Sequence, residues 1–218
     1  AELPNLTYSE PAYATEVDWM LCDALDQLSQ PDGVSSYLRL STRPIDQRPF
    51  ADALARLGED SLRAQVLAGG YRLADAVADG RPGVTIVTTG VMAPEALAAA
   101  GELDAEGVQA SVVHLTSPDR VYRSWRRGLI DSAASARVVR APSHLHDLVP
   151  GAQRGWPVVS VHDAASHSLA WIGSALGTRQ YALGVDRFGE SGTIADLHEL
   201  TGIDTGSIVN AALLALAD

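Results

Sequence analysis

Near the end of the chain stands Gly184-Val185-Asp186-Arg187-Phe188-Gly189-Glu190-Ser191, whose spacing is that of a phosphate-cradling loop, G-x-x-x-x-G-K-[ST]. Such a loop works because backbone amides and a lysine ammonium neutralise the phosphates. Here Glu190 stands where the lysine belongs, and Asp186 adds a second negative charge. The 16 basic residues are all arginine, so lysine chemistry, Schiff bases included, is excluded by inventory. Gly189-Glu190-Ser191-Gly192 also fails as a nucleophile elbow, G-x-S-x-G, because Thr193 takes the last position. No G-x-G-x-x-G dinucleotide fingerprint occurs. The stretch reads instead as a strand-to-helix turn, with Ser191 or Thr193 capping a helix that begins near Ile194.

Other residues of the right type fall in three places. His144 and His146 flank Leu145, and an H-x-H pair can aim two imidazoles at one metal, but no third ligand is near in sequence. His162 and Asp163 follow an apolar run, with His167 four residues beyond Asp163. That places them at the carboxyl end of a strand, where α/β sheets hold ligands and acid-base groups. The plainer reading of both is a loop with satisfied side chains. Ser41-Thr42-Arg43 offers a guanidinium flanked by hydroxyls, able to hold a carboxylate or phosphate in a fork, or to make an ordinary surface ion pair. The lone Cys22 rules out an intrachain disulfide and reads as a buried small hydrophobe.

Charge narrows the partners. Against 16 arginines stand 27 acids, a net −11, and the only local basic cluster is Arg120, Arg123, Arg126 and Arg127. A chain so acidic repels nucleic-acid phosphates. No apolar run reaches the ~18 residues that span a bilayer, and no signal peptide is visible, so a cytoplasmic protein is expected.

The elements that must position these residues are legible from periodicity. Val17, Met20, Leu21, Ala24, Leu25 and Leu28 recur at helical spacing after Pro11, and Val34–Leu40 reads as a short strand. Residues 44–66 read as a linker with a short helix around Phe50–Leu57. Then strands alternate with helices. Val84–Thr88, Val108–Leu115, Pro157–Val161 and Tyr181–Val185 are the strands. Pro94–Ala100, the stretch around Trp125, Ser168–Leu176, Ile194–Leu200 and Ser207–Leu216 are the helices, with a proline-bearing loop at Pro142 and Pro150. The pattern predicts a three-layer α/β/α fold with a mostly parallel, mixed sheet. The first ~45 residues give one helix and one strand, too little for a core. The chain is therefore expected to begin within a larger protein.

These residues also resemble a family. GVDRFGES is similar to the G-x-x-x-F-G-x-S motif in the last domain of transketolase-type thiamine diphosphate enzymes, through Asp186, Phe188, Gly189 and Ser191. Pro4-Asn5-Leu6 and Pro11-Ala12-Tyr13-Ala14-Thr15-Glu16 resemble the strand-to-helix junction of that family's pyrimidine-binding domain. The wording from Tyr8 to Ala14 looks closer to the homodimeric decarboxylating component of pyruvate dehydrogenase than to transketolase itself. VTIVTTG, VVHLTSPDR, VVSVHDAAS and YALGVDRFG follow the order of the family's C-terminal domain.

The resemblance implies residues 1–43 as the tail of a pyrimidine-binding domain, 44–66 as linker and 67–218 as a transketolase C-terminal-like domain. It implies thiamine diphosphate and magnesium in the parent enzyme but none in this chain, since the family's G-D-G…N motif has no counterpart here. The catalytic glutamate of the family also lies upstream of these residues. The expected role is therefore structural: dimer-forming, bound to the rest of the parent polypeptide, inactive alone. Arg43 corresponds to a sugar phosphate-binding arginine in the transketolase segment S-R-Q-N, although Pro44 follows it here. The parent's substrate is accordingly pyruvate or another 2-oxo acid, or alternatively a ketose phosphate. A stand-alone small-anion-binding or interaction module is the reading from a different class.

Overall fold

The computed structural model describes residues 3–77, 79–135 and 143–217, so Pro142 lies outside the described residues. In chain order the elements are β1 (Leu6–Ser9), α1 (Ala14–Gln27), β2 (Ser35–Leu38), α2 (Arg48–Leu57), α3 (Glu59–Ala68), β3 (Tyr71–Ala74), β4 (Gly83–Thr89) and α4 (Ala93–Ala105). They continue with β5 (Gln109–Leu115), α5 (Pro118–Ala134), α6 (His144–Leu148), β6 (Val158–Val161), α7 (Ile172–Leu176), β7 (Gln180–Leu183), α8 (Ile194–Thr201) and α9 (Thr205–Ala217). The chain forms two compact units, residues 1–71 with 115–150, and residues 72–114 with 151–218.

In the first unit β1 and β2 make a two-stranded parallel sheet, Leu6 opposite Ser35. Helix α1 starts after Pro11 because Glu16, fully buried, reaches back to its own N-terminus. Its Oε2 accepts hydrogen bonds from the amides of Ala12 (2.6 Å) and Tyr13 (3.0 Å), satisfying donors that a helix start leaves open. Residues 44–66, expected as a linker with one short helix, hold both α2 and most of α3. Phe50 of α2 is buried, its ring 5.6 Å from those of Tyr13 and Trp19 and edge-on to Tyr71 at 6.0 Å. An aromatic cluster of this kind is a core. Helix α5 is started by Ser117, whose hydroxyl accepts from the Arg120 amide at 3.3 Å, and by Pro118.

The second unit is built on a sheet of order β3-β5-β4-β6-β7, within an α/β fold with a mixed sheet. β6 runs parallel to both β4 and β7. Every residue of β4 is buried, as its unbroken β-branched run requires of a strand covered on both faces. Helices α4 and α9 pack on each other, and α9 lies against β4, β6 and β7. Ile194–Ala217 has the length and apolarity of a membrane span, with mean hydropathy 1.4. It is divided at Gly202, which ends α8 in the left-handed conformation (φ 68°). The resulting helices have 8 and 13 residues, short of the ~20 that cross a bilayer.

Candidate functional site

The sheet order fixes where a ligand crevice belongs. From β4 the chain goes to β5 on one side, while from β6 it goes to β7 on the other, so the connections diverge between β4 and β6. Ligands of α/β sheets sit outside the carboxyl ends of strands at such a switch. The residues there are Thr88 and Thr89 at the end of β4, Gly90 after it, and His162 and Asp163 after β6. His162 is buried, and its Nε2 stands 3.9 Å from Asp163 Oδ1, too far for the hydrogen bond of a nucleophile-activating pair. Its amide donates to Leu183 O at 3.1 Å, tying the ends of β6 and β7 together.

The turn after β7 is built outward from Asp186. That carboxylate accepts hydrogen bonds from the Ser166 amide (2.9 Å) and hydroxyl (2.6 Å). These bonds, with a smaller contribution from His167, hold its carboxyl below the usual carboxylate range. Gly184 leaves no room for a side chain, because a Cβ would collide with the Ser166 backbone. The base of the turn is therefore fixed. Its tip is not covered: residues 186–196 are exposed, and Phe188 is 96% exposed. Arg187 pairs with Glu190 at 2.6 Å, so the glutamate in the lysine position serves the arginine of its own loop. Thr193 caps α8, accepting from the Asp196 amide (3.2 Å), while Ser191 is exposed within the turn.

Behind the turn lies a cleft of about 160 Å³. Val185, Phe188, Leu197, Leu200 and Ile203 give it apolar walls, and Asp163, Arg187, Glu190 and His198 put polar groups at it. His198 Nδ1 is 3.3 Å from Glu95 Oε1, which ties α8, a helix with no buried residue, to α4. Only Asp163 and the turn itself pointed to this cleft from sequence, because its far wall comes from α8 and Ile203.

In the first unit Arg43 is half-buried, and its amide donates to Ser41 Oγ at 3.1 Å in a local turn, with Ser41 and Thr42 exposed. Sequence reasoning missed Glu10 at the end of β1, a fully buried carboxylate. It accepts from Arg39 Nη1 (2.8 Å) and from the Tyr8 hydroxyl. The two histidines of the H-x-H pair part company. His144 Nε2 meets Gly70 O at 2.6 Å, and His146 Nδ1 meets the buried Ser143 hydroxyl at 2.7 Å. Both are engaged in holding the loop and α6, not aimed at one metal. Cys22, expected buried, is exposed on α1.

A diphosphate with its metal needs a cradle of free amides plus oxygen ligands for the cation. The turn after β7 does not fit: it carries two carboxylates, and its arginine is already paired. Fold and site together define an α/β domain whose turn after β7 is anchored at Ser166 by Asp186.

The chain belongs to the family of transketolase-like C-terminal domains, whose family model matches residues 69–204. It is 25% identical over 213 residues to the chloroplastic transketolase of Craterostigma plantagineum, covering 96% of this chain and 34% of that protein. It is likewise 25% identical over 219 residues to transketolase 2 of Aliivibrio fischeri, covering 98% of this chain and 27% of that one. The chain thus spans about a third or less of these relatives' length. Among solved structures, a split-gene transketolase described as an inactive β4 tetramer superposes with TM-score 0.63 at 20% identity, over 99% of this chain and 59% of that one. The transketolase of Leishmania mexicana does so with TM-score 0.61 at 20% identity, over 99% and 26%.

Proposed function

We propose that this chain is the C-terminal portion of a transketolase-type, thiamine diphosphate-dependent enzyme. Its role there is architectural and dimer-forming, and it is inactive alone. The observation that carries this is the unfinished first unit. Two parallel strands make no independent sheet, and here β2 is almost wholly exposed. Leu21 and Leu25 of α1, with Leu28 at its C-terminal cap, form an exposed apolar stripe. Residues 1–43 are accordingly the tail of a pyrimidine-binding domain whose other strands come from the rest of the parent polypeptide. The relatives align along nearly the whole of this chain yet are about three to four times its length, which supports the same reading.

In the assembled enzyme the cofactor would supply an electron sink for the carbanion left when a bond next to a carbonyl breaks. Its ligands would come from the G-D-G…N portion that this chain lacks. What this chain offers the substrate is Arg43, whose guanidinium can hold a phosphate or carboxylate in a fork. Relatives that are named transketolases favour a ketose phosphate over pyruvate as that substrate. Pro44 follows Arg43 in place of the glutamine of S-R-Q-N, a departure that keeps a 2-oxo acid as the second reading. Homodimer formation is supported by the exposed apolar residues of both units, and the oligomeric split-gene structure is consistent with it.

The test is the reading frame around the chain, which should hold roughly 500 further residues upstream, on ~150 residues per domain, including G-D-G…N. A start codon at or just before Ala1 would sink the proposal. In that enzyme, Arg43→Ala should lower kcat/KM by about tenfold or more for the phosphorylated or carboxylate substrate, as loss of a forked ion pair does. An unchanged value removes Arg43 from the site.

A further inference from the structure

We infer that the cleft beside α8 is a binding site for a small amine, an ammonium group carried on an apolar body. This adds a ligand to the second unit and goes beyond the placement proposed above. Size comes first. A cleft of about 160 Å³ compares with the ~150 Å³ apolar cavity that holds one benzene ring. Phe188, Leu197, Leu200 and Ile203 supply walls for a ring or a short alkyl chain to lie against. The face of an aromatic wall also attracts a cation.

The polar groups decide the charge, because the side chains at this cleft offer acceptors. Thr201 donates its hydroxyl hydrogen to Leu197 O at 2.6 Å, which leaves the lone pairs of Oγ1. Glu95 Oε1 stands 3.3 Å from His198 Nδ1. A carboxylate can only accept, so in the neutral ring the hydrogen stays on Nδ1 and Nε2 is an acceptor. Asp163 brings a carboxylate to the same wall, just past the end of β6, where α/β sheets hold ligands. Arg187, the guanidinium at this cleft, is turned to Glu190 at 2.6 Å. A carboxylate or phosphate would set acceptors against acceptors, whereas an ammonium brings only donors. The net −11 of the chain adds a long-range attraction for a cation.

The experiment is a titration of benzylamine into this chain, followed by the amide chemical shifts of α8 and of the turn after β7. Benzyl alcohol and benzoate serve as probes of similar shape and different charge, and circular dichroism shows that each variant folds. Benzylamine should saturate with a Kd on the order of 0.1–1 mM, as suits a ligand of so few atoms. Benzyl alcohol should bind roughly tenfold or more weakly, for want of the charge-assisted hydrogen bonds, and benzoate should not bind. Asp163→Asn should weaken benzylamine by about tenfold and leave benzyl alcohol unchanged, a selective loss that misfolding does not produce. Leu200→Trp, which fills the cleft, should abolish binding of both. The polypeptide extended upstream should bind benzylamine as this chain does. Benzoate bound as well as benzylamine, or an unchanged affinity in Asp163→Asn, overturns the inference. So does an extended polypeptide that excludes the amine, because the cleft is then covered by the rest of the parent. None of these outcomes bears on the family placement or on the Arg43 test.

Discussion

Asp186 is a motif residue whose carboxylate is taken up by hydrogen bonds within the fold. Its carboxylate is spent on the Ser166 amide and hydroxyl, and the charged form is therefore favoured. Because its folded-state pKa lies below the unfolded value, its contribution to stability is fully present above about pH 4. It is lost as pH falls through the depressed folded value. Asp186→Asn should lower Tm at neutral pH, and the gap to the unaltered protein should shrink in acid. A gap that stays constant with pH would show that the hydrogen bonds matter and the charge does not. Neutral burial governs the aromatic cluster of the first unit instead. Desolvation first, and then the Glu16 carboxylate, push the Tyr13 hydroxyl well above its ordinary range, so it stays protonated and acts as part of the core.

At the scale of elements, the strands buried on both faces were legible because an unbroken run of β-branched residues has few other uses. Val84–Thr88 and Pro157–Val161 became β4 and β6 to within a residue or two. The helix after the turn was legible from its cap, and Thr193 supplies it. What was not legible depended on partners far away in sequence. The helices of residues 48–68 looked like linker because their periodicity is interrupted at Gly58 (φ 79°), yet Phe50 enters a core completed by Tyr13, Trp19 and Tyr71. Strands β1 and β3 are as short as β6 but lack its β-branched run, so they left no strand signal. The cleft by α8 has walls from three segments and no motif. Packing predictions belong here too. Gly83 in β4 faces the Trp156 indole so closely that a Cβ would overlap it, so Gly83→Ala should cost about 1–3 kcal/mol in denaturant unfolding. Ile86→Ala, at a fully buried site, should cost about 2–5 kcal/mol. Phe188→Ala, at a site almost wholly exposed within the chain, should stay within about 0.5 kcal/mol of the unaltered value.

For the whole molecule, the two units make different statements. The second carries a five-stranded sheet with its own core of Val84, Ile86, Val112, Val159 and Val161, and the family match falls mostly upon it. The first has a core around Phe50 but leaves strand edges and an apolar helix stripe uncovered. On the proposed placement the chain should lack the parent's cofactor site, because its sequence carries no G-D-G…N motif. Calorimetric titration of thiamine diphosphate with magnesium, into this chain and into the polypeptide extended upstream through G-D-G…N, tests that claim most directly. Heat of binding should arise only from the extended polypeptide. Micromolar or tighter binding to this chain alone would contradict the account.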